Sequence, residues 1–270
     1  MVTREGFSRA SKIFFDHFGV DPGNGSLDDL FRIYRTFTLI PWENLTKFLV
    51  KHRSEGPSIL MRDPETVILD HVEQGAGGTC FSLTDALADV VRSAGFRCFP
   101  VMADMSHGNN IHCALKVMPE GGGVFLLDPG YLVPEAVRLH PSEPSELSAG
   151  GDRLVWEPSP GNVYHLYSVS AGGRRWRYRI RMKGVDDSTF RHFWRESFDA
   201  VGMNSLHLNF RSGEERLSAH NFNLRMVKGS EKSNLKLRES YSRQINRYFG
   251  LKSGLARRAL EEWRKTCRDR

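Results

Sequence analysis

Cys80 is the residue of this sequence best placed for covalent chemistry. It follows the glycine-rich run Gly75-Ala76-Gly77-Gly78-Thr79 and precedes Leu83, Ala86, Leu87, Val90 and Val91, apolar residues at steps of three and four. That spacing predicts an amphipathic helix with Cys80 at its N-terminus. There the free backbone N–H groups and the positive end of the helix dipole favour a thiolate, and the preceding glycines admit a close-lying ligand. A cysteine so placed is otherwise a small buried hydrophobe, so the reading turns on whether a base and an orienting acceptor exist. His112 opens the strand-like stretch 111–117, and Asp128 ends the stretch 124–128 before Pro129-Gly130. The interval between them suits a hairpin turning at Gly121-Gly122-Gly123. Asp128 would then hold one ring nitrogen of His112 while the other faces the sulfur. Asp104 is a second candidate for the orienting acid. His107 sits in a polar loop and reads as solvated. Cys98 reads as core, and so does Cys113, which a strand would turn to the face opposite His112. The four cysteines form no CxxC pair, and the histidines form no HxH or HxxxH pair, so no metal is expected.

These groups need a helix and two neighbouring strands to meet. Residues 1–95 read mainly as helix, with a capping start at Ser26-Leu27-Asp28-Asp29 and Leu30, Ile33, Tyr34 and Phe37 behind it. Pro41 ends that segment, Trp42-Glu43-Asn44-Leu45 begins the next helix, Gly56-Pro57 marks a turn, and Asp63-Pro64 starts another helix. From Phe96 the period shortens to that of strands, through 98–102, 111–117, 124–128, 155–156, 164–167 and 174–183. The Pro-, Ser- and Glu-rich stretch 134–152 reads as a long loop. Residues 186–200 look helical, 204–228 return to strands, and 236–267 close with helix. The order is helices, then a sheet or barrel, then a mixed α/β end.

Composition narrows the field further. With 40% hydrophobic and 26% charged residues, the 270-residue chain is an ordinary globular sequence able to bury a full core. Nothing near the start resembles a secretory signal, and no window approaches a membrane span. The free-cysteine pattern fits a reducing, cytoplasmic compartment. The net charge of +6 is concentrated in 236–270, which holds 11 Lys or Arg against 4 Asp or Glu. Such a tail could meet an acidic partner or cofactor phosphates, with Arg257 and Arg258 as candidates, or form a solvated helix face. No nucleic-acid motif accompanies it, and the sequence carries no signal for an oligomeric state.

Several segments together resemble the arylamine N-acetyltransferases, cysteine acyltransferases that use acetyl-coenzyme A. Ile40-Pro41-Trp42-Glu43-Asn44-Leu45 is similar to that family's IPFENL segment, and Gly77-Gly78-Thr79-Cys80-Phe81 resembles its RGGxC nucleophile motif. The 112–117 stretch looks like its base-bearing strand, and Leu127-Asp128-Pro129-Gly130-Tyr131 is close to its VDVGFG segment. Phe249-Gly250-Leu251 resembles an element of its last domain. The sequence departs from those patterns at Ala76, where the family has arginine, and at Ser82, Pro129 and Leu132. The resemblance implies an α+β architecture: a helical domain over 1–95 carrying the nucleophile, a β-barrel over 96–185 carrying His112 and Asp128, and an α/β lid over 186–270. It also implies a Cys80–His112–Asp128 triad, with Trp42, Phe81, Asn110, Gly130 and Tyr131 beside the substrate. The expected donor is acetyl-coenzyme A and the acceptor a small arylamine or hydrazine, with no nucleic-acid or membrane partner. Two other readings stay open on sequence: an amide synthase or transglutaminase-like cysteine hydrolase, and a non-catalytic binding module.

Overall fold

The structure, a computed structural model, describes residues 6–53, 61–149, 151–200, 203–229 and 231–268; the expected turn at Gly56-Pro57 lies outside them. The chain opens with helices α1 (Arg9–Phe18) and α2 (Leu27–Phe37), a two-residue strand β1 (Trp42–Glu43), and helices α3 (Leu45–Arg53), α4 (Pro64–Gln74) and α5 (Cys80–Ser93). Local chemistry sets several of these boundaries. Ser8 caps α1, Ser26 and Asp29 form a reciprocal capping box on α2, and Asp63 caps α4 with Pro64 in its first turn. Gly75, at a φ of +67°, ends α4 in the left-handed conformation that glycine adopts without strain.

The middle of the chain forms strands β2 (Arg97–Met105), β3 (Gly108–Met118), β4 (Val124–Leu127), β5 (Val137–Leu139), β6 (Ser145–Ala149), β7 (Asp152–Ser159), β8 (Val163–Ser170) and β9 (Gly173–Arg181). They make one antiparallel sheet in the order β5-β4-β3-β2-β9-β8-β7-β6, and β5 meets β6 so that the sheet nearly closes into a barrel. The stretch 134–152 is therefore not one long loop. Its two strands are too short to show a period, and pairing with β4 and β7 is what extends them.

After helix α6 (Asp187–Ser197), strands β10 (His207–Ser212), β11 (Glu215–His220), β12 (Asn223–Lys228) and β13 (Glu231–Lys236) form a meander, and helices α7 (Tyr241–Phe249) and α8 (Ser253–Arg268) follow. β1 joins the edge of that meander, with Trp42 opposite Asn209 and Glu43 opposite Leu208. The sequence reading had Trp42 and Glu43 starting a helix; tertiary pairing extends them instead, and the helix begins at Leu45.

Helix α5 is the element that connects these layers. Leu83, Ala86, Leu87, Val90 and Val91 pack with Phe14, Ile33 and Phe37 of the helices and with Leu115 and Val117 of β3. Full burial of each such Leu, Ile, Val or Phe contributes roughly 1.5–3 kcal/mol, so the start of α5 is held firmly against the sheet. The barrel interior has its own core around Ala114, Trp156, Leu166, Tyr178 and Ile180. A third core joins α7 and α8 to the meander and to Leu45 and Phe48 of α3. The basic face of α8, with Arg257 and Arg258, is exposed.

Candidate active site

The loop before Cys80 is built from close approaches. A Cβ on Gly77 would stand 1.6 Å from the Pro41 carbonyl oxygen, so only glycine fits there. Glu43 N–H donates to the Gly78 carbonyl at 3.0 Å, and Gly78 N–H donates to Pro41 at 3.3 Å. A guanidinium reaches this loop although Ala76 is not an arginine. It comes from buried Arg62, whose Nη1 donates to the Gly77 carbonyl at 2.8 Å and to Thr46 Oγ1 at 2.7 Å. Thr46 Oγ1 in turn donates to the fully buried Glu43 carboxylate at 2.7 Å. The segment 40–46 thus braces the turn that presents Cys80 as the first residue of α5.

His112 and Asp128 meet as their spacing requires. β3 and β4 form the hairpin, with Leu115 opposite Leu127, and His112 Nε2 lies 2.9 Å from Asp128 Oδ2 in a buried pair. Nε2 is committed to the acid, which leaves Nδ1 as the ring nitrogen for the thiol. Asp128 has further partners. Its Oδ1 accepts from Tyr131 N–H at 2.8 Å, and its own N–H donates to the Tyr34 hydroxyl at 2.9 Å. Tyr34 donates onward to the Val133 carbonyl at 2.7 Å. The Tyr178 ring lies tilted against the His112 ring, 5.2 Å between centroids, and its hydroxyl accepts from Trp156 Nε1–H at 3.1 Å. Sequence reading marked Tyr34 only as a core position of α2 and Tyr178 only as a strand former.

Cys80 Sγ lies against the edge of β3, 3.9 Å from the Ile111 carbonyl oxygen. Two side chains reach the sulfur there. His112 comes from the barrel face of the strand. Cys113 does turn to the opposite face, but that face carries α5, so its thiol packs in the same buried cluster as Cys80 and donates to Thr84 Oγ1 at 3.5 Å. The neighbouring Cys113 thiol is the largest influence on the Cys80 pKa; burial opposes it, and the adjacent His112 imidazole and its charge help bring the thiol down to about 5. Burial would depress His112, but the charge and hydrogen bond of Asp128, followed by those of Cys80, outweigh it and raise the imidazole to about 10. The opposed shifts favour thiolate and imidazolium in the buried pair. Cys113 itself is pushed well above the ordinary thiol range, first by burial and then by its neighbour Cys80.

A cleft of about 460 Å³ opens over these groups, lined by Cys80, His112, Trp42, Gly130, Tyr131 and His107 among others. Gly130 has no room for a side chain: a Cβ would fall 2.4 Å from Cys80 Cβ and 3.0 Å from His112 Cε1. A Gly130→Ala variant is expected to lose about 1–3 kcal/mol through overpacking and to separate Cys80 from His112, measured as a lower Tm together with lost thiol reactivity at pH 6. Leu132, also in the lining, holds a φ of +57°. That left-handed angle costs a non-glycine residue roughly 1–2 kcal/mol.

Two residues expected beside the substrate lie elsewhere. Phe81 is fully buried and packs on Phe190 and Trp194, because the turn of α5 points it away from the cleft. Asn110 is held by the Asp104–Arg181 cluster, where its N–H donates to Asp104 and its side chain accepts from Arg181. Asp104 does not face His112: Arg181 and Arg179 clamp it at 2.6 Å each, and their hydrogen bonds, Arg181's foremost, hold it well below the usual carboxylate range despite its partial burial. Arg257 and Arg258 do not line the cleft. All four cysteines are free thiols, and among the described residues no cluster of His, Cys, Asp and Glu could hold a metal. No helix of the described residues is long and apolar enough to cross a membrane.

A mixed α/β chain with a nearly closed eight-stranded sheet, helices at both ends and a cysteine at a helix start facing His and Asp has the arylamine N-acetyltransferase fold. The arylamine N-acetyltransferase of Salmonella typhimurium superposes with a TM-score of 0.74 at 16% identity, over 91% of this chain and 92% of that one. That of Mycobacterium marinum gives 0.76 at 16% identity, over 92% of this chain and 98% of that one. The same enzyme in complex with CoA gives 0.74 at 16% identity, over 92% and 97%. No family model matches the sequence, and no curated protein does.

Proposed function

We propose that this protein transfers an acetyl group from acetyl-coenzyme A to an aromatic amine or hydrazine through an acetyl-cysteine intermediate. The observation that carries this reading is the buried Cys80–His112–Asp128 line under a cleft. The fold and the CoA complex of a structural neighbour agree with it. In the first half-reaction the Cys80 thiolate attacks the thioester carbonyl carbon. The bond from that carbon to the coenzyme A sulfur breaks, and the departing thiolate takes the proton from His112. Backbone N–H groups at the start of α5 have no partner within the helix and can receive the tetrahedral oxyanion. In the second half-reaction the amine attacks the acetyl carbon and His112 removes the nitrogen-bound proton. Cys80 leaves as thiolate, which restores the ion pair. Asp128 keeps His112 in one tautomer and stabilises its charged form throughout. The division at 1–95, 96–185 and 186–270 belongs to the same proposal, with the nucleophile, the base–acid pair and the cleft's outer wall supplied by successive thirds of the chain.

Incubation of the full chain with acetyl-coenzyme A is expected to add one acetyl group to Cys80, read by mass spectrometry of the intact protein and of its peptides. A Cys80→Ala variant is expected to gain none. If no coenzyme A thioester of any chain length acylated the parent protein, the acetyltransferase reading would be overturned.

A further inference from the structure

Three arginines from separate strands converge on one wall of the cleft: Arg177 of β9, Arg211 of β10 and Arg216 of β11. Arg211 and Arg216 stand directly opposite each other in the β10–β11 ladder, an arrangement of like charges that destabilises a sheet. One acid meets them. Asp152 of β7 lies 3.8 Å from Arg216, and Arg177 is held by its Nε donating to Ser168 at 2.7 Å. Arg211 receives less. Its Nε and Nη1 are shielded from solvent and have no hydrogen-bond partner among the described residues. A half-buried guanidinium with shielded, idle donors is costly unless something pairs with it. Here the neighbouring charge is repulsive, and one carboxylate serves three cations.

The wall is close to the reacting groups. Tyr131, which feels the charges of Arg177 and Arg216, also donates its backbone N–H to Asp128 and sits with its ring 6.4 Å from that of His112. A planar oxyanion matches the fork of an arginine, and two adjacent forks favour a carboxylate or phosphate over a neutral polar group.

We propose that Arg211, Arg216 and Arg177 form an anion subsite of the cleft, which binds a carboxylate or phosphate group of the substrate. With Trp42, Tyr131, Leu132 and Leu154 lining the same cleft, the ligand that fits is an aromatic amine bearing an acidic substituent. The phosphates of coenzyme A are the other source of the same chemistry. The substrate assignment rests on the acetyl-transfer reading above; the anion subsite itself does not.

The test is calorimetric binding to the full chain with four probes: 4-aminobenzoate, its neutral amide 4-aminobenzamide, coenzyme A, and pantetheine, which lacks the phosphates. Tenfold or greater preference for 4-aminobenzoate over the amide is expected in the parent protein, and it should vanish in Arg211→Gln and shrink in Arg216→Gln. If Arg211→Gln instead abolished a preference for coenzyme A over pantetheine, the subsite would stand with the donor's phosphate as its anion. The subsite is overturned if the parent prefers neither anion, or if both variants bind all four probes as the parent does. The Tm of the ligand-free variants is expected to equal or exceed that of the parent, because each substitution relieves the opposed charges. Anion binding without any acyl-enzyme would refute the acetyl-transfer reading and leave the subsite intact.

Discussion

An Asp128→Asn variant is expected to turn over about 10⁴-fold more slowly than the parent while remaining folded. The carboxylate is fully buried and bound to His112 and to Tyr131 N–H. Asparagine keeps the shape and can still accept from Tyr131. What it removes is the charge. Burial is the largest influence on His112 and by itself pushes the imidazole down; the Asp128 charge is the first of the effects that reverse it. Without that charge the imidazolium loses its support, and Cys80 loses one of the groups that hold it as thiolate. Presteady-state acetylation of the variant by acetyl-coenzyme A, with circular dichroism as the fold control, measures the effect. A loss smaller than tenfold would show that His112 acts without an orienting acid.

Alkylation of Cys80 by iodoacetamide is expected to reach half its maximal rate near pH 5 and to stay level from pH 6 to pH 9. The sign follows from the reactive species. Thiolate is the nucleophile, so a lowered pKa keeps the thiol reactive as pH falls, and reactivity disappears only on protonation near pH 5. An ordinary thiol would instead rise through pH ~8.5. The midpoint is the quantity to compare, because nucleophilicity itself falls with pKa. A Cys267→Ser background removes the one exposed thiol, while burial keeps Cys98 up at about 11. In that background Cys113→Ala is expected to move the midpoint upward, since its thiol is the largest lowering influence, and His112→Gln to move it upward as well. A midpoint left in place by both substitutions would mean that the helix terminus alone sets the thiol.

The arginine wall has a consequence for evolution of the site as well as for binding. Two opposed guanidiniums weaken the meander that carries them, so a variant that stabilised the free protein there would be expected to bind its anion less well.

Much of this was legible in the sequence because the signals are local. The 3.6-residue spacing behind Cys80 and the period of two around His112 describe α5 and β3 directly. The glycine turn and the acid that ends β4 bring His112 and Asp128 together in one hairpin. Cys113 shows where such signals stop. Alternation correctly turned it away from His112, yet only the packing of α5 against that face of β3 put its thiol beside Cys80. Phe81 and Asn110 do not line the cleft for a related reason: adjacency in sequence does not say which way a side chain points once its element is docked.

The sequence by itself determined the helix that Cys80 begins and the hairpin of His112 and Asp128, since each depends on contacts close along the chain, and the succession of helical, strand-rich and mixed segments, since each follows from local periodicity. Only the tertiary structure decided what surrounds them. Arg62 braces the Gly77 loop, Tyr34 reaches Asp128 from α2, Tyr178 meets the His112 ring from β9, and Arg177, Arg211 and Arg216 gather from three strands. Those meetings depend on how the layers close on one another, and no spacing along the chain encodes that closure.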